Sequence, residues 1–168
     1  MKVMLTGGTG FIGGHLLKAL TSEGHDVRLL VRDAEKLERM IELQSIEAEV
    51  DYVIGDMADP ATVQASLEGC NACIHAAAFT SLDPSQMDQA LAVNGPAAQL
   101  ILDTAHQQGC DPIIHISTMS VIFPPSGDLL SGEDPVHGGG NPYNASKAIA
   151  EEHARSMQAD GAPIKIVY

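Results

Sequence analysis

The sequence predicts an α/β protein with a parallel, doubly wound sheet of about six strands, and three observations support this. Short apolar runs with strand character alternate along the chain with longer segments of helical periodicity. A cluster of glycines, beginning at Gly7, separates the first strand from the first helix. Such alternation is typical of right-handed βαβ units, which build parallel sheets. The 168 residues suffice for one sizeable core, so residues 1–168 are interpreted as a single domain.

The predicted elements follow one another from the first residues to the last. Strands are expected at residues 3–5, 26–31, 50–54, 72–76, 112–117 and 164–168. Helices are expected at residues 12–20, 33–44, 60–67, 86–108 and 142–157. Pro96 lacks a backbone N–H, so it should kink or divide the fourth of these helices. In such sheets a ligand lies beyond the carboxyl ends of the strands, near the point where the strand order reverses.

The glycine cluster predicts a dinucleotide-binding site. It fits both Gly8-x-Gly10-x-x-Gly13 and the wider Gly7-x-x-Gly10-x-x-Gly13. Gly7 and Gly8 let the chain turn sharply, while Gly10 lets the backbone approach a pyrophosphate and Gly13 lets the helix pack closely on the strand. The phosphates would then lie on free N–H groups at a helix N-terminus. A glycine triplet also fits any tight turn, but its place between a strand and an amphipathic helix favours the cofactor site.

Composition limits the partners and the compartment. A formal net charge of −13 argues against nucleic acid or an anionic membrane as a partner, and no apolar run approaches the ~20 residues of a membrane span. Three cysteines are too few for a disulfide framework, so a cytoplasmic location is expected. Cys70-x-x-Cys73 stands alone before a strand and is interpreted as a pair of buried thiols. His75 and His115 lie in predicted strands without ligand spacing, so no metal site is expected.

The end of the second strand bears on cofactor choice. An NAD-binding protein usually has an acid here that accepts from the ribose 2′-hydroxyl. This chain has Val31-Arg32-Asp33, and Lys36 follows one turn later. Arg32 and Lys36 suit a 2′-phosphate, which favours NADP over NAD. Asp33 keeps NAD possible as the cofactor. The alternative interpretation is that Asp33 only caps a helix and that Arg32 before it is a solvated side chain.

Candidate catalytic residues follow the fifth strand. Tyr143 and Lys147 are spaced i and i+4, hence on one face of a helix. A nearby ammonium should lower the pKa of a phenol, which would make Tyr143 a usable acid/base near neutral pH. Ser117 and Thr118 end the strand, where a hydroxyl can polarise a substrate carbonyl. The loop at 119–141 is long enough to be functional.

The chain resembles the extended short-chain dehydrogenase/reductases, in their NAD-dependent epimerase/dehydratase group, which have a Rossmann fold. The stretches that match, in order, are Thr6-Gly-Gly-Thr-Gly-Phe-Ile-Gly13, Gly55-Asp56, His75-Ala-Ala-Ala78, Asn94, Ser117-Thr118 and Tyr143-Asn-Ala-Ser-Lys147. The resemblance implies that Tyr143 is the catalytic acid/base and that Lys147 binds the nicotinamide ribose while lowering the pKa of Tyr143. It also implies that Thr118 is the catalytic hydroxyl, with Ser117 as the alternative.

The residues expected to bind the cofactor combine the glycine motif, the strand ends and the matching stretches. They are Gly7, Gly10, Phe11, Ile12, Gly13, Arg32, Lys36, Asp56, Met57, Ala76, Ala77, Ala78, Asn94, Tyr143 and Lys147. In the family Asp56 would lie near the adenine and the alanines would face the cofactor. Asn94 supports the active site there, and its place on an apolar helix stripe requires a hydrogen-bond partner.

Three departures from the family pattern refine the expectation. Residues 95–97 replace a small-polar pattern and put the local helix geometry in question. Residues 122–124, Ile-Phe-Pro, stand where many sugar-nucleotide enzymes carry Tyr-Gly. This favours a reductase-like branch similar to dihydroflavonol reductases and steroid dehydrogenase relatives. The chain also stops where family members continue into a smaller substrate lobe.

The expected function is oxidoreductase or epimerase chemistry, with hydride transfer at a carbonyl or alcohol carbon. The small-molecule substrate would be a sugar nucleotide or a steroid-like or flavonoid-like compound. A homodimer is expected through the helices at 86–108 and 142–157, which resemble the family's dimer-forming pair. The alternative is a non-catalytic NADP-binding sensor or scaffold, since a fold alone does not imply activity.

Overall fold

One six-stranded sheet runs through the computed structural model, which describes residues 1–168. The strands are β1 (Lys2–Thr6), β2 (Asp26–Val31), β3 (Asp51–Ile54), β4 (Ala72–His75), β5 (Ile113–Ile116) and β6 (Ile164–Val167). They are ordered β3-β2-β1-β4-β5-β6, and every neighbouring pair is parallel. The predicted α/β fold with a parallel sheet is therefore confirmed. The strand order reverses between β1 and β4, so a crevice opens beyond their carboxyl ends.

Six α-helices connect the strands. They are α1 (Phe11–Ser22), α2 (Ala34–Gln44), α3 (Pro60–Leu67), α4 (Met87–Asn94), α5 (Pro96–Gln107) and α6 (Pro142–Ala159). The helical segment predicted at 86–108 is divided as expected, since Gly95 lies between two helices and Pro96 opens the second. None of the helices combines the length and the apolar character that crossing a bilayer requires.

The helices cover both faces of the sheet because successive strand side chains point to opposite sides. Val3 and Leu5 of β1 belong to one core with Leu17 of α1, which α2 also joins. Met4, between them, faces the other side and belongs to a second core with Ile101 of α5, shared with α3 and α6. The two apolar cores hold the strand ends in a fixed register, which positions the loops beyond them.

The three cysteines lie in the second of these cores. Cys70, Cys73 and Cys110 are free and buried, which confirms the interpretation of Cys70-x-x-Cys73 as buried thiols. Burial raises the pKa of the Cys110 thiol to about 11. Because the thiolate is the reactive form, this group is protonated and inert at neutral pH.

Two glycines let the backbone approach itself closely where β1 ends. Gly7 has a φ of +77°, and a Cβ there would lie 2.7 Å from the backbone of Ala76 and Ala77. A Cβ on Gly13 would lie 2.5 Å from the carbonyl carbon of Gly7 and closer still to its oxygen. Both obstacles are backbone atoms, which cannot rotate away. The loops after β1 and β4 and the start of α1 therefore meet only because these side chains are missing.

This contact predicts different effects for two neighbouring substitutions in α1. Gly13→Ala should destabilise the protein by about 1–3 kcal/mol, because the added methyl group must push the Gly7 backbone aside. Gly14→Ala is the matched control, since its Cβ would meet the flexible Met40 side chain. The helix propensity of alanine, worth up to about 1 kcal/mol, offsets the cost there. Urea unfolding measures both variants, and equal losses would contradict the assigned backbone clash.

Candidate active site

A cavity of about 370 Å³ opens at the carboxyl ends of the central strands. Its wall is made by the loops after β1, β2, β3 and β4 and by one side of α4. The predicted cofactor residues that line it are Gly7, Gly10, Arg32, Lys36, Asp56, Met57, Ala76, Ala77 and Ala78. The size and the place at the strand-order reversal suit a dinucleotide.

Other predicted cofactor residues lie outside the lining of this cavity. Phe11, Ile12 and Gly13 open α1 next to Gly10, and the side chains of Phe11 and Ile12 are exposed. Asn94, Tyr143 and Lys147 stand farther along, on α4 and α6. Sequence reasoning missed several lining residues, namely Thr6, Thr9, Leu30, Val31, Gly55, Ala58, Phe79, Gln89, Ala92, Val93 and Ala97. Three of them, Thr6, Val31 and Gly55, directly end or follow a strand, which is the feature that could have identified them. The four on α4 and α5 carry no such sign.

The N-terminus of α1 is left open for an anion. Its cap residue, Gly10, offers no side-chain acceptor, and the first turn holds no acidic residue. By contrast, Asp33, Asp59 and Asn141 cap α2, α3 and α6 with their side chains. The first N–H groups of any helix lack internal acceptors. The glycine cradle and this uncapped helix end therefore fit the pyrophosphate of a dinucleotide.

Two cations face the cavity at the end of β2. Arg32 and Lys36 line it and are exposed, and neither takes part in any of the ion pairs of the structure. Asp33 is engaged elsewhere, because its Oδ1 accepts from the Lys36 backbone N–H at 3.0 Å. This geometry matches the expectation that Asp33 caps the helix. Positive charge is thus available in the cavity wall just beyond the end of β2.

Tyr143 stands at the start of α6, half-buried beside the end of β5. Burial raises its pKa above the usual value, and a hydrogen bond with Thr118 acts in the opposite direction. The pKa of Tyr143 is thus raised and not lowered in the chain by itself, and Lys147 is not among the groups that shift it. The reason is that desolvation of the phenolate outweighs the other effects.

Lys147 is buried one helical turn after Tyr143. Its Nζ donates to the backbone carbonyl of Ile116 at 2.6 Å, at the end of β5. Burial lowers the pKa of Lys147 to about 8, while the charge of Glu151 acts to raise it. The ammonium is thus held at the strand end, directed by a backbone acceptor that cannot move away.

Thr118 belongs to a short chain of polar contacts that links β5 to α6. Its Oγ1 lies 2.9 Å from Ser120 Oγ. Ser120 Oγ in turn donates to Asn144 Oδ1 at 2.8 Å. Asn144 is the neighbour of Tyr143, so the Thr118 hydroxyl and the phenol are brought to the same place. Ser117, the alternative hydroxyl, is buried and donates to Glu151 instead.

Asn94 ties the wall of the cavity to α6. Its Oδ1 accepts from the Phe79 N–H at 2.7 Å, and its Nδ2 donates to the Phe79 carbonyl at 2.8 Å. The same Nδ2 donates to Ser146 Oγ at 2.9 Å. The expected hydrogen-bond partners of this buried amide are therefore present. Gly95 caps the end of α4 just behind it and Pro96 opens α5, which is where the family pattern is broken.

A buried polar network around Glu151 was not predicted. Glu151 is completely buried, and it accepts from Ser117 Oγ and, at 2.6 Å, from Tyr168 Oη. Arg155 donates to it through Nε at 3.0 Å and Nη2 at 2.7 Å. Arg155 Nη1 also donates to the carbonyl of Asp134, in the loop before α6. The i, i+4 spacing of Lys147, Glu151 and Arg155 was the sign of this network in the sequence. Charged residues on an exposed helix face show the same spacing, so it could not indicate burial.

Two buried histidines stack beneath this site. The rings of His75, on β4, and His115, on β5, are 5.6 Å apart and inclined by 13°. His75 Nδ1 lies 2.8 Å from Thr6 Oγ1, whereas both nitrogens of His115 lack a partner. Burial, with Lys147 nearby, lowers the pKa of His75 to about 3 and that of His115 to about 2. Both rings are neutral at physiological pH.

Comparison with known proteins agrees with this geometry. The model of the NAD dependent epimerase/dehydratase family matches residues 3–168. A dTDP-glucose 4,6-dehydratase from Streptomyces antibioticus is 32% identical over 162 residues, which are 90% of this chain and 47% of that protein. A 2-alkyl-3-oxoalkanoate reductase from Stenotrophomonas maltophilia is 30% identical over 175 residues, 99% of this chain and 49% of that one.

Solved structures show the same fold. The crystal structure of a dTDP-glucose 4,6-dehydratase from Streptomyces venezuelae, with NAD bound, superposes with a TM-score of 0.82 at 25% identity, covering 99% of this chain and 54% of the other. The chain spans about half the length of the curated relatives it matches. The Rossmann fold, the glycine-lined cavity and the match over residues 3–168 lead to one conclusion: the chain belongs to the NAD dependent epimerase/dehydratase family, whose members are enzymes.

Proposed function

We propose that this chain is the cofactor-binding and catalytic half of an NADP-dependent oxidoreductase that acts on a carbonyl or alcohol carbon. The observation that carries the proposal is that the dinucleotide cavity and the polar groups of Thr118, Tyr143 and Lys147 lie at the same edge of the sheet. Residues beyond this chain would complete the substrate pocket, because the relatives are about twice as long. A non-catalytic sensor or scaffold would have no need of Thr118, Tyr143 and Lys147 together.

The proposed chemistry divides the work among three side chains. The nicotinamide, when bound, supplies or accepts a hydride. Tyr143 Oη gives its proton to the substrate oxygen during reduction, and its raised pKa keeps that proton in place at neutral pH. Thr118 Oγ1 orients the same oxygen by a hydrogen bond. Lys147 Nζ, fixed by the Ile116 carbonyl, holds the nicotinamide ribose.

The preference for NADP rests on Arg32 and Lys36. Both cations line the cavity without a carboxylate partner, and Asp33 is occupied in capping α2. A 2′-phosphate would give them an anion to pair with, whereas a 2′-hydroxyl would leave two like charges side by side. The relative crystallised with NAD does not decide this point for the present chain.

This preference is testable on the chain of 168 residues. NADPH should bind more tightly than NADH in a fluorescence titration. Arg32→Ala should narrow the difference by about 1–3 kcal/mol, since it removes a charge-assisted hydrogen bond. The control is Arg39→Ala on α2, because Arg39 is exposed and pairs with Glu35 at 3.8 Å, outside the cavity. Equal affinities of the unmutated chain for both cofactors would refute the preference.

The catalytic assignment predicts a selective loss in the protein that includes the substrate-binding half. Tyr143→Phe should lower kcat by roughly 10²–10⁴-fold, the usual contribution of general acid/base catalysis, and leave the NADPH affinity nearly unchanged. Tyr52→Phe serves as the control, since Tyr52 lies on the edge strand β3. Steady-state kinetics decide, and normal turnover of the Tyr143 variant would assign the proton transfer to another group.

A further inference from the structure

One face of α6 carries four polar residues at intervals of four positions: Tyr143, Lys147, Glu151 and Arg155. Neighbours at i and i+4 lie about 5–6 Å apart between their Cβ atoms. Charges therefore alternate along this face, with the Glu151 carboxylate between two cations. Glu151 is completely buried and Lys147 is 3% exposed, so water screens their attraction poorly.

The surroundings of Lys147 otherwise disfavour its charge. Its one hydrogen-bond partner is the neutral carbonyl of Ile116. The titratable side chains nearest on the neighbouring strands are His75 and His115, whose own pKa values Lys147 helps to lower. Tyr143, on the same helix, has a raised pKa and is neutral. The charge that acts to favour the Lys147 ammonium is that of Glu151.

Glu151 is held in its ionised form and in one orientation by the groups around it. It accepts from two hydroxyl groups, those of Ser117 and Tyr168, and from two nitrogen atoms of Arg155. Only an ionised carboxylate can accept at all of these positions. The donors come from the residues that directly follow β5 and β6 and from α6 itself, so the carboxylate cannot turn away.

We propose that Glu151 is a positioning residue that keeps Lys147 in its ammonium form, and through it the site that would hold the nicotinamide ribose. The link to ribose binding rests on the proposed function, whereas the effect on Lys147 does not. The substitution Glu151→Gln preserves the shape and the acceptor for Ser117 but removes the negative charge. It also leaves the Arg155 cation without its anionic partner. The unpaired positive charge, like the loss of the carboxylate, disfavours the ammonium form of Lys147.

The test is a direct titration of Lys147 by NMR in protein labelled with ¹³C at the lysine Cε, its signal assigned by its disappearance in Lys147→Arg. In Glu151→Gln the midpoint of the Lys147 titration should move at least about one pH unit lower than in the unmutated chain. Ser117→Ala is the matched control, because it removes a hydrogen bond to Glu151 but no charge, and it should leave the midpoint nearly in place. An unmoved midpoint in Glu151→Gln would overturn the proposal.

Glu151→Gln leaves the Arg155 cation unpaired, and breaking a buried ion pair is costly, so a second variant replaces the other member of that pair. Arg155 is the partly exposed member, with 25% of its side chain accessible, so water can solvate the space that it leaves. Arg155→Gln removes the cation that competes for Glu151, so the Lys147 midpoint should rise. A midpoint that stays or falls would also overturn the proposal. NADPH titrations of the same samples separate the effect of Glu151 on Lys147 from the proposed role of Lys147 in cofactor binding. If the Lys147 midpoint moves while the NADPH affinity at pH 7.5 does not, Glu151 acts as proposed and the role of Lys147 in cofactor binding is wrong.

Discussion

The site depends on a contact between three pieces of backbone. Gly7 lies against the Ala76–Ala77 peptide on one side and beneath Gly13 of α1 on the other, at distances that exclude any Cβ. This contact aligns the uncapped end of α1 with the loop after β4, which also carries Phe79. Asn94 then binds Phe79 and reaches Ser146 of α6. The cavity and α6 are thus connected through the Asn94 amide, and the contact that aligns the cavity wall at Gly7 is made by backbone atoms alone.

The sequence predicted the parts of this structure that depend on local periodicity and backbone rules. The strand at 26–31 and the helix at 60–67 were predicted with the bounds that the structure has. Pro96 marked the division between α4 and α5, because a missing N–H acts within one helical turn. The cavity lining at Gly7, Arg32 and Asp56 was predictable for a similar reason, since ligand-facing residues follow strand ends in a parallel sheet.

What could not be predicted depends on burial and on contacts between distant residues. The i, i+4 spacing of Tyr143 and Lys147 indicated attraction between an ammonium and a phenolate. It could not indicate that desolvation raises the pKa of Tyr143, or that Lys147 donates to Ile116, 31 residues away. Nor could it separate Glu151 from an ordinary surface acid, because the hydroxyl donors of Glu151 lie 34 residues before it and 17 after it.

The stacked histidines make the fold sensitive to acid. An unfolded histidine takes up a proton near pH 6.5, whereas His75 and His115 resist it until about pH 3 and about pH 2. Each folded-state pKa is depressed, so the unfolded chain binds more protons as the pH falls below 6.5. Each ring then removes up to about 1.4 kcal/mol of unfolding free energy per pH unit. A mildly acidic compartment would therefore lower the free energy of unfolding of this domain, through two rings that lie on the adjacent strands β4 and β5.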